Sequence, residues 1–189
     1  YSTVANTTIP NYEATVSLSN GFAAAGASIT VDMDPDATPL SGPLVYAGDI
    51  PAEGAAGDNA ALCLPGSIQT VPAGTIVVCD RGTNARAEKS QVVADAGGAG
   101  MILVNVVPSS VDLDDHAVPT VHLDAQYRTP LLNAVESGET ATFTPGNSTD
   151  IQTPAPIVAA SSSRGPVVAD GNDVIKPDIA APGTGIIAA

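Results

Sequence analysis

Hydrophobic residues along this chain come in short bursts, and the spacing inside each burst predicts its element. Tyr12, Ala14, Val16 and Leu18 alternate with polar neighbours, which predicts a half-buried strand running into the turn Ser19-Asn20-Gly21. The return strand of that hairpin is expected over Ala27–Val31. Three runs are almost wholly apolar: Leu44-Val45-Tyr46-Ala47, Gly74–Cys79 and Met101–Asn105. They are short, rich in β-branched residues and bounded by Gly or Asp, so they predict buried strands. Val118–Leu123 is a further strand with Pro119 at its start or edge, and Ala141–Thr144 is the last short one.

Between these runs the period changes. Over residues 85–96, Ala85, Val92, Val93 and Ala96 share one helical face, with Arg86, Glu88, Lys89 and Gln91 expected mostly outside. Tyr127–Val135 predicts a second short helix closed by Gly138. The run Gly97-Gly98-Ala99-Gly100 lies after a helix and before a strand. A phosphate cradle needs the opposite order, with glycines leading into a helix N-terminus, so this run predicts a helix C-cap and a tight crossover. Short strands with helices interspersed predict a compact mixed α+β domain.

Composition narrows the picture. Aromatics make up 3% and Trp is absent, so the core must be built from Val, Ile, Leu and Ala. Twenty acidic residues against 6 basic ones give a net charge of −14, which argues against nucleic acid and anionic membrane surfaces as partners. No apolar run is long enough to cross a bilayer, and no secretory signal is present. The sequence reads as a piece of a longer parent that would carry any such signal. Asp32, Asp34 and Asp36 form one acidic cluster and Asp112, Asp114 and Asp115 another, which raises calcium as a ligand. Neither has the Gly turn and distant Glu of an EF-hand loop, so no cofactor is expected. Cys63 and Cys79 are either two buried thiols or a disulfide. The disulfide is preferred, because the pair brackets one short loop and two Cys alone cannot complete a zinc site.

The C-terminal segment carries a family resemblance. Ser162-Ser163-Arg164-Gly165-Pro166, Lys176-Pro177-Asp178-Ile179, Ala181-Pro182-Gly183 and Ile187-Ala188-Ala189 resemble the stretch that leads to the nucleophile segment of subtilisin-like proteases. The centre resembles the protease-associated insertion of large subtilases. The matching residues are Pro43–Gly48, the Cys63 segment, Gly74–Gly82, Ala96–Asn105 and His116–Thr120. Ser2–Gly21 is similar to the segment that precedes this insertion. The resemblance implies a small β-barrel or sandwich flanked by short helices, together with partial strands of the protease core. It implies core flanks at 1–31 and 157–189, linkers at 32–42 and 146–156, and the protease-associated domain at 43–145. The parent would be a secreted serine endopeptidase. This part would select polypeptide substrates beside the catalytic domain, or act as a spacer or a dimerisation element through self-association.

Proteolytic chemistry itself is not expected here. A serine protease needs a nucleophile, a base within hydrogen-bond reach and an acid that orients the base. The catalytic Asp, His and Ser segments of the family are absent, and no Gly-x-Ser-x-Gly elbow occurs. His116 follows Asp114 and Asp115, but neighbours on an extended chain point apart, so neither His116 nor His122 is expected to be catalytic. The scarce positive charge gathers at Arg81, Arg86 and Lys89. Pairing with Glu88 or Asp95 on the helix surface is the plain expectation. The alternative places Arg81 and Arg86, with His116, at the rim of a peptide-binding groove. Asn6-Thr7-Thr8 and Asn147-Ser148-Thr149 match glycosylation acceptors, a pattern short enough to arise by chance.

Overall fold

The computed structural model describes residues 12–151 apart from Met33, Pro35 and Asp150, and also the backbone of Thr3–Ala5, Ile157–Val158 and Ala181–Pro182. The segments 161–166, 176–179 and 187–189 and the acceptor motif at Asn6 lie outside the described residues. The chain divides into two units, one of Tyr12–Ile151 and one of Tyr1–Asn11 with Gln152–Ala189. In the second unit, β1 (Thr3–Ala5) pairs antiparallel with β9 (Ile157–Val158) and parallel with β10 (Ala181–Pro182).

The first unit is a closed barrel of seven strands. These are β2 (Glu13–Leu18), β3 (Ala23–Ala27), β4 (Leu40–Tyr46), β5 (Ile76–Asp80), β6 (Gly100–Val104), β7 (Thr120–Leu123) and β8 (Thr140–Pro145). Around the barrel they run β2-β3-β7-β6-β5-β4-β8, and β8 closes on β2. Neighbours β4 to β7 are parallel and the rest antiparallel. Every residue of β5, β6 and β7 is buried, which explains why β5 and β6 read as near-continuous apolar runs. Alternate side chains divide between two cores. Ile76, Val78, Ile102 and Val104 point into the barrel, where they meet Val16, Phe143 and Leu131. Val77, Cys79, Met101 and Leu103 pack outward against Val92, Val93 and Ala96.

Three short helices finish the unit. α1 (Gly57–Ala61) and α2 (Arg86–Asp95) contribute to the outer core, while Leu131 and Ala134 of α3 (Arg128–Glu136) join the inner one. The glycine run after α2 is the expected cap: Gly97 takes φ +87°, its N–H donates to Ala94 O, and Gly98 N–H donates to Val93 O. The disulfide is present, joining Cys63 to Cys79 across a sequence separation of 16 and tying the α1 segment to β5.

Three expectations need correction. The hairpin return strand is Ala23–Ala27 rather than 27–31. Gly26 sets its position, since a Cβ there would meet His122 O at 2.2 Å, so β3 can lie on β7 only where it lacks a side chain. The boundaries also move. Residues 12–31 belong to the barrel and not to a protease-core flank, because β2 and β3 supply two of its walls. The segment 32–42 is not wholly linker, since β4 begins at Leu40 on β8. Closure gives each of the seven barrel strands a neighbour on both sides, although β3 and β7 share only the pair Ala27 and His122. Last, Lys89 is fully buried instead of facing water, while Ala85 is exposed.

Candidate functional site

Three adjacent parallel strands each hand over to a polar residue at the same end of the barrel. Arg81 follows β5, Asn105 follows β6 and Asp124 follows β7. The ladder continues through them, with Arg81 N–H donating to Val104 O at 2.8 Å and Asn105 N–H to Leu123 O at 3.0 Å. The backbone therefore fixes where these side chains start. All three turn onto the loop that connects β6 to β7.

Arg81 Nη1 donates to Ser110 O at 2.7 Å, Ser109 Oγ at 3.1 Å and Asn105 Oδ1 at 3.3 Å, and its Nη2 reaches Asp112 at 3.3 Å. Asn105 Nδ2 donates to Ser109 O, Ser110 O and Asp124 Oδ1, and Asp124 Oδ1 also accepts Ser109 N–H. All of the Nδ2 neighbours are acceptors, so the amide has one sensible orientation. Its Oδ1 then accepts from His122 Nε2 at 2.9 Å, which leaves His122 Nδ1 bare to accept Asp112 N–H at 3.0 Å. His122 is completely buried at the β3–β7 seam, and burial pulls its pKa down to about 4.

Arg86, at the start of α2, clamps the same loop further along. Its guanidinium holds Asp114 through Nε and, at 3.1 Å, through Nη2, while Nη1 reaches Asp112 at 3.2 Å. Burial favours the neutral acid at Asp114, but the Arg86 bonds and charge outweigh it and hold the pKa below the usual carboxylate range. His116 lies within electrostatic reach of this pair, with its Nδ1 buried and without a hydrogen-bond partner among the described residues. Burial lowers its pKa, with Asp114 and Asp115 pulling the other way.

The two arginines singled out by the sequence are thus brought together, sharing Asp112. Their guanidinium groups are engaged with residues 105–114 rather than with Glu88 or Asp95, and Asp95 accepts instead from Gln91 at 2.9 Å. Lys89 Nζ donates to Leu62 O and Asn84 Oδ1 beneath the disulfide segment, and burial draws its pKa down to about 8. Asn147 Oδ1 accepts from Thr149 Oγ1 at 2.7 Å, a local turn that follows β8.

A second polar group caps the end of β5 itself, one residue before Arg81. Asp80, buried at the end of β5, accepts from Arg128 Nε at 2.8 Å and Nη2 at 2.7 Å, and from the Tyr46 hydroxyl at 2.7 Å. Burial and the bond to Asp80 push the Tyr46 pKa up to about 12. Sequence reasoning missed Asn105, His122, Asp124, Asp80 and Arg128. The available signal was positional: a polar residue at the end of an apolar run marks where a parallel strand leaves the core.

Among the described residues no group of His, Cys, Asp and Glu has metal-binding geometry. No nucleophile, base and orienting acid come together at His122 either. Both of its ring nitrogens are spent on Asn105 and the Asp112 backbone.

Residues 40–128, which supply β4 to β7 and the disulfide-tethered helices, match the PA domain family. The chain is similar to subtilisin-like proteases of Arabidopsis thaliana over most of its length. It is 39% identical to Subtilisin-like protease SBT1.3 over 78% of this chain and 19% of the relative. It is 38% identical to SBT1.4 over 77% and 18%, and 35% identical to SBT1.5 over 95% and 24%. The chain carries a PA domain of the kind found in subtilisin-like proteases, and spans 24% or less of the length of these relatives. Among solved structures, a zinc aminopeptidase from Bacillus subtilis aligns with a TM-score of 0.49 and 20% identity, covering 77% of this chain and 33% of that one.

Proposed function

We propose that this chain is the non-catalytic recognition module of a secreted subtilisin-like serine endopeptidase, and that it selects polypeptide substrates presented to the catalytic domain. The observation that carries this reading is the pairing of a PA barrel with protease relatives and a polar centre whose side chains are committed to holding a loop. A site built to do chemistry keeps its base free to meet a substrate. Here the buried imidazole is locked on both sides, and the arginines position backbone. The module is suited to present a surface, and its partners are then a polypeptide and the rest of the protease.

The test compares the full-length protein with a version lacking residues 12–151, the whole barrel rather than its centre. Turnover of short peptides should survive deletion, while the ranking of folded protein substrates should change. An equal loss on both substrate types would make the barrel a structural spacer and end the recognition reading. The full 189-residue chain should also fail to hydrolyse casein or to be labelled by a serine-directed fluorophosphonate.

A further inference from the structure

The loop that the polar centre holds has an unusual division of labour. Ser109, Ser110, Asp112 and Asp114 are pinned by Arg81, Arg86, Asn105, His122 and Asp124. The same loop exposes Val106 at 50%, Val107 at 64% and Val111 at 40%. Each end of this apolar set adjoins a pinned residue: Val106 follows Asn105, and Val111 lies between Ser110 and Asp112. Three large aliphatic side chains are therefore kept in water by a frame fixed in advance. A loop already ordered loses little freedom when a partner covers it, so its apolar area is available for binding.

Charge says what kind of partner fits. The described residues contain four cations, and all four are engaged internally: Arg81 and Arg86 with Asp112 and Asp114, Arg128 with Asp80, and Lys89 in its buried site. Carboxylates are in excess on the rest of the surface, and Asp115 is exposed on the loop itself. The partner must bring the positive charge. Closure of the barrel also removes strand addition as the mode of contact among its strands. What remains is side-chain contact at the loop.

We infer that Val106, Val107 and Val111 form a pre-set docking element for an extended polypeptide that carries an aliphatic or aromatic residue flanked by Lys or Arg. This rests on the recognition function proposed above and names the surface that performs it. The apolar residue covers the valines, and the flanking cations sit in the acidic field around them. The contact is therefore apolar in strength and electrostatic in selectivity, and the electrostatic part weakens as salt shortens the Debye length to about 8 Å.

The experiment measures binding of a fluorescein-labelled peptide with a Leu-Phe centre and Lys/Arg flanks to the full chain, by fluorescence anisotropy at low and physiological salt. Replacing all three valines with serine (V106S, V107S, V111S) should weaken binding by about tenfold or more while leaving the melting temperature nearly unchanged, since all three are exposed. A peptide with Glu flanks should bind about tenfold more weakly than the basic one at low salt, and the difference should shrink as salt rises. Binding of the triple variant within about twofold of the parent overturns the docking element. If deletion of residues 12–151 still alters protein-substrate preference in that case, the recognition function stands and only its location is wrong. Loss of concentration-dependent self-association in the triple variant, with peptide binding intact, would assign the loop to a second copy of this chain and overturn the peptide assignment.

Discussion

His122 Nδ1 accepts the backbone N–H of Asp112 at 3.0 Å, tying the buried seam of the barrel to the middle of the exposed β6–β7 loop. The bond exists only while the imidazole is neutral, since its other nitrogen is already committed as a donor to Asn105. Burial chiefly opposes a positive charge there, Arg81 and Arg86 add to it, and Asp112 pulls the other way. Unfolded, the imidazole would take up a proton near 6.5; folded, it resists until about 4. The unfolded chain binds more protons across that window, so the contribution is complete above pH 6.5 and is lost as pH falls towards 4. It amounts to roughly 3 kcal/mol. Urea unfolding from neutral to mildly acid pH should show this slope, and His122→Leu should flatten it despite a lower stability overall. Parallel slopes in parent and variant would refute the assignment.

Reduction of the disulfide should destabilise the barrel unit without changing its neutral-pH fold. Cys63 and Cys79 close a loop with a sequence separation of 16, for which chain-entropy reasoning gives about 3 kcal/mol. Urea midpoints with and without dithiothreitol, and of the double Cys63→Ala, Cys79→Ala variant, should fall together. A midpoint that does not move on complete reduction would mean that the α1 segment is held by packing alone.

Arg128 should matter more for stability than its half-exposed side chain suggests. It provides both guanidinium bonds to buried Asp80, so Arg128→Met leaves that carboxylate with the Tyr46 hydroxyl as its remaining side-chain partner. A loss of about 2–4 kcal/mol is expected, tempered by the solvent that Arg128 already sees. Adding Asp80→Asn should restore part of that loss, because it removes the orphaned charge. A double variant that is simply the sum of its parts would contradict the coupling.

The barrel's strands were legible where burial on both faces writes a near-continuous apolar run, as in Gly74–Cys79 and Met101–Asn105. Ala23–Ala27 was not, because four alanines and a glycine have little strand preference and are placed by the close approach of Gly26 to β7. Lys89 was misread for a related reason. Helical period and charge both put it outside, and only the tertiary structure brings Leu62 O and Asn84 over it. At the site, Arg81 and Arg86 stand out in the sequence as a cluster of scarce positive charge, and in the structure both reach Asp112. Their acceptors come from a loop some thirty residues later, which no local pattern connects. Closure of the sheet was implied by the family resemblance and by no local pattern, since the β2–β8 pairing joins residues more than a hundred positions apart.

That same pairing has an evolutionary consequence. Gly146 N–H donates to Glu13 O at 2.8 Å, so the chain enters and leaves the barrel at adjacent points. To any host fold, the 140 residues from Tyr12 to Ile151 therefore occupy no more room along the backbone than a hairpin turn. A unit of this kind can be gained, lost or exchanged between host chains by recombination at two neighbouring positions, without stretching the host.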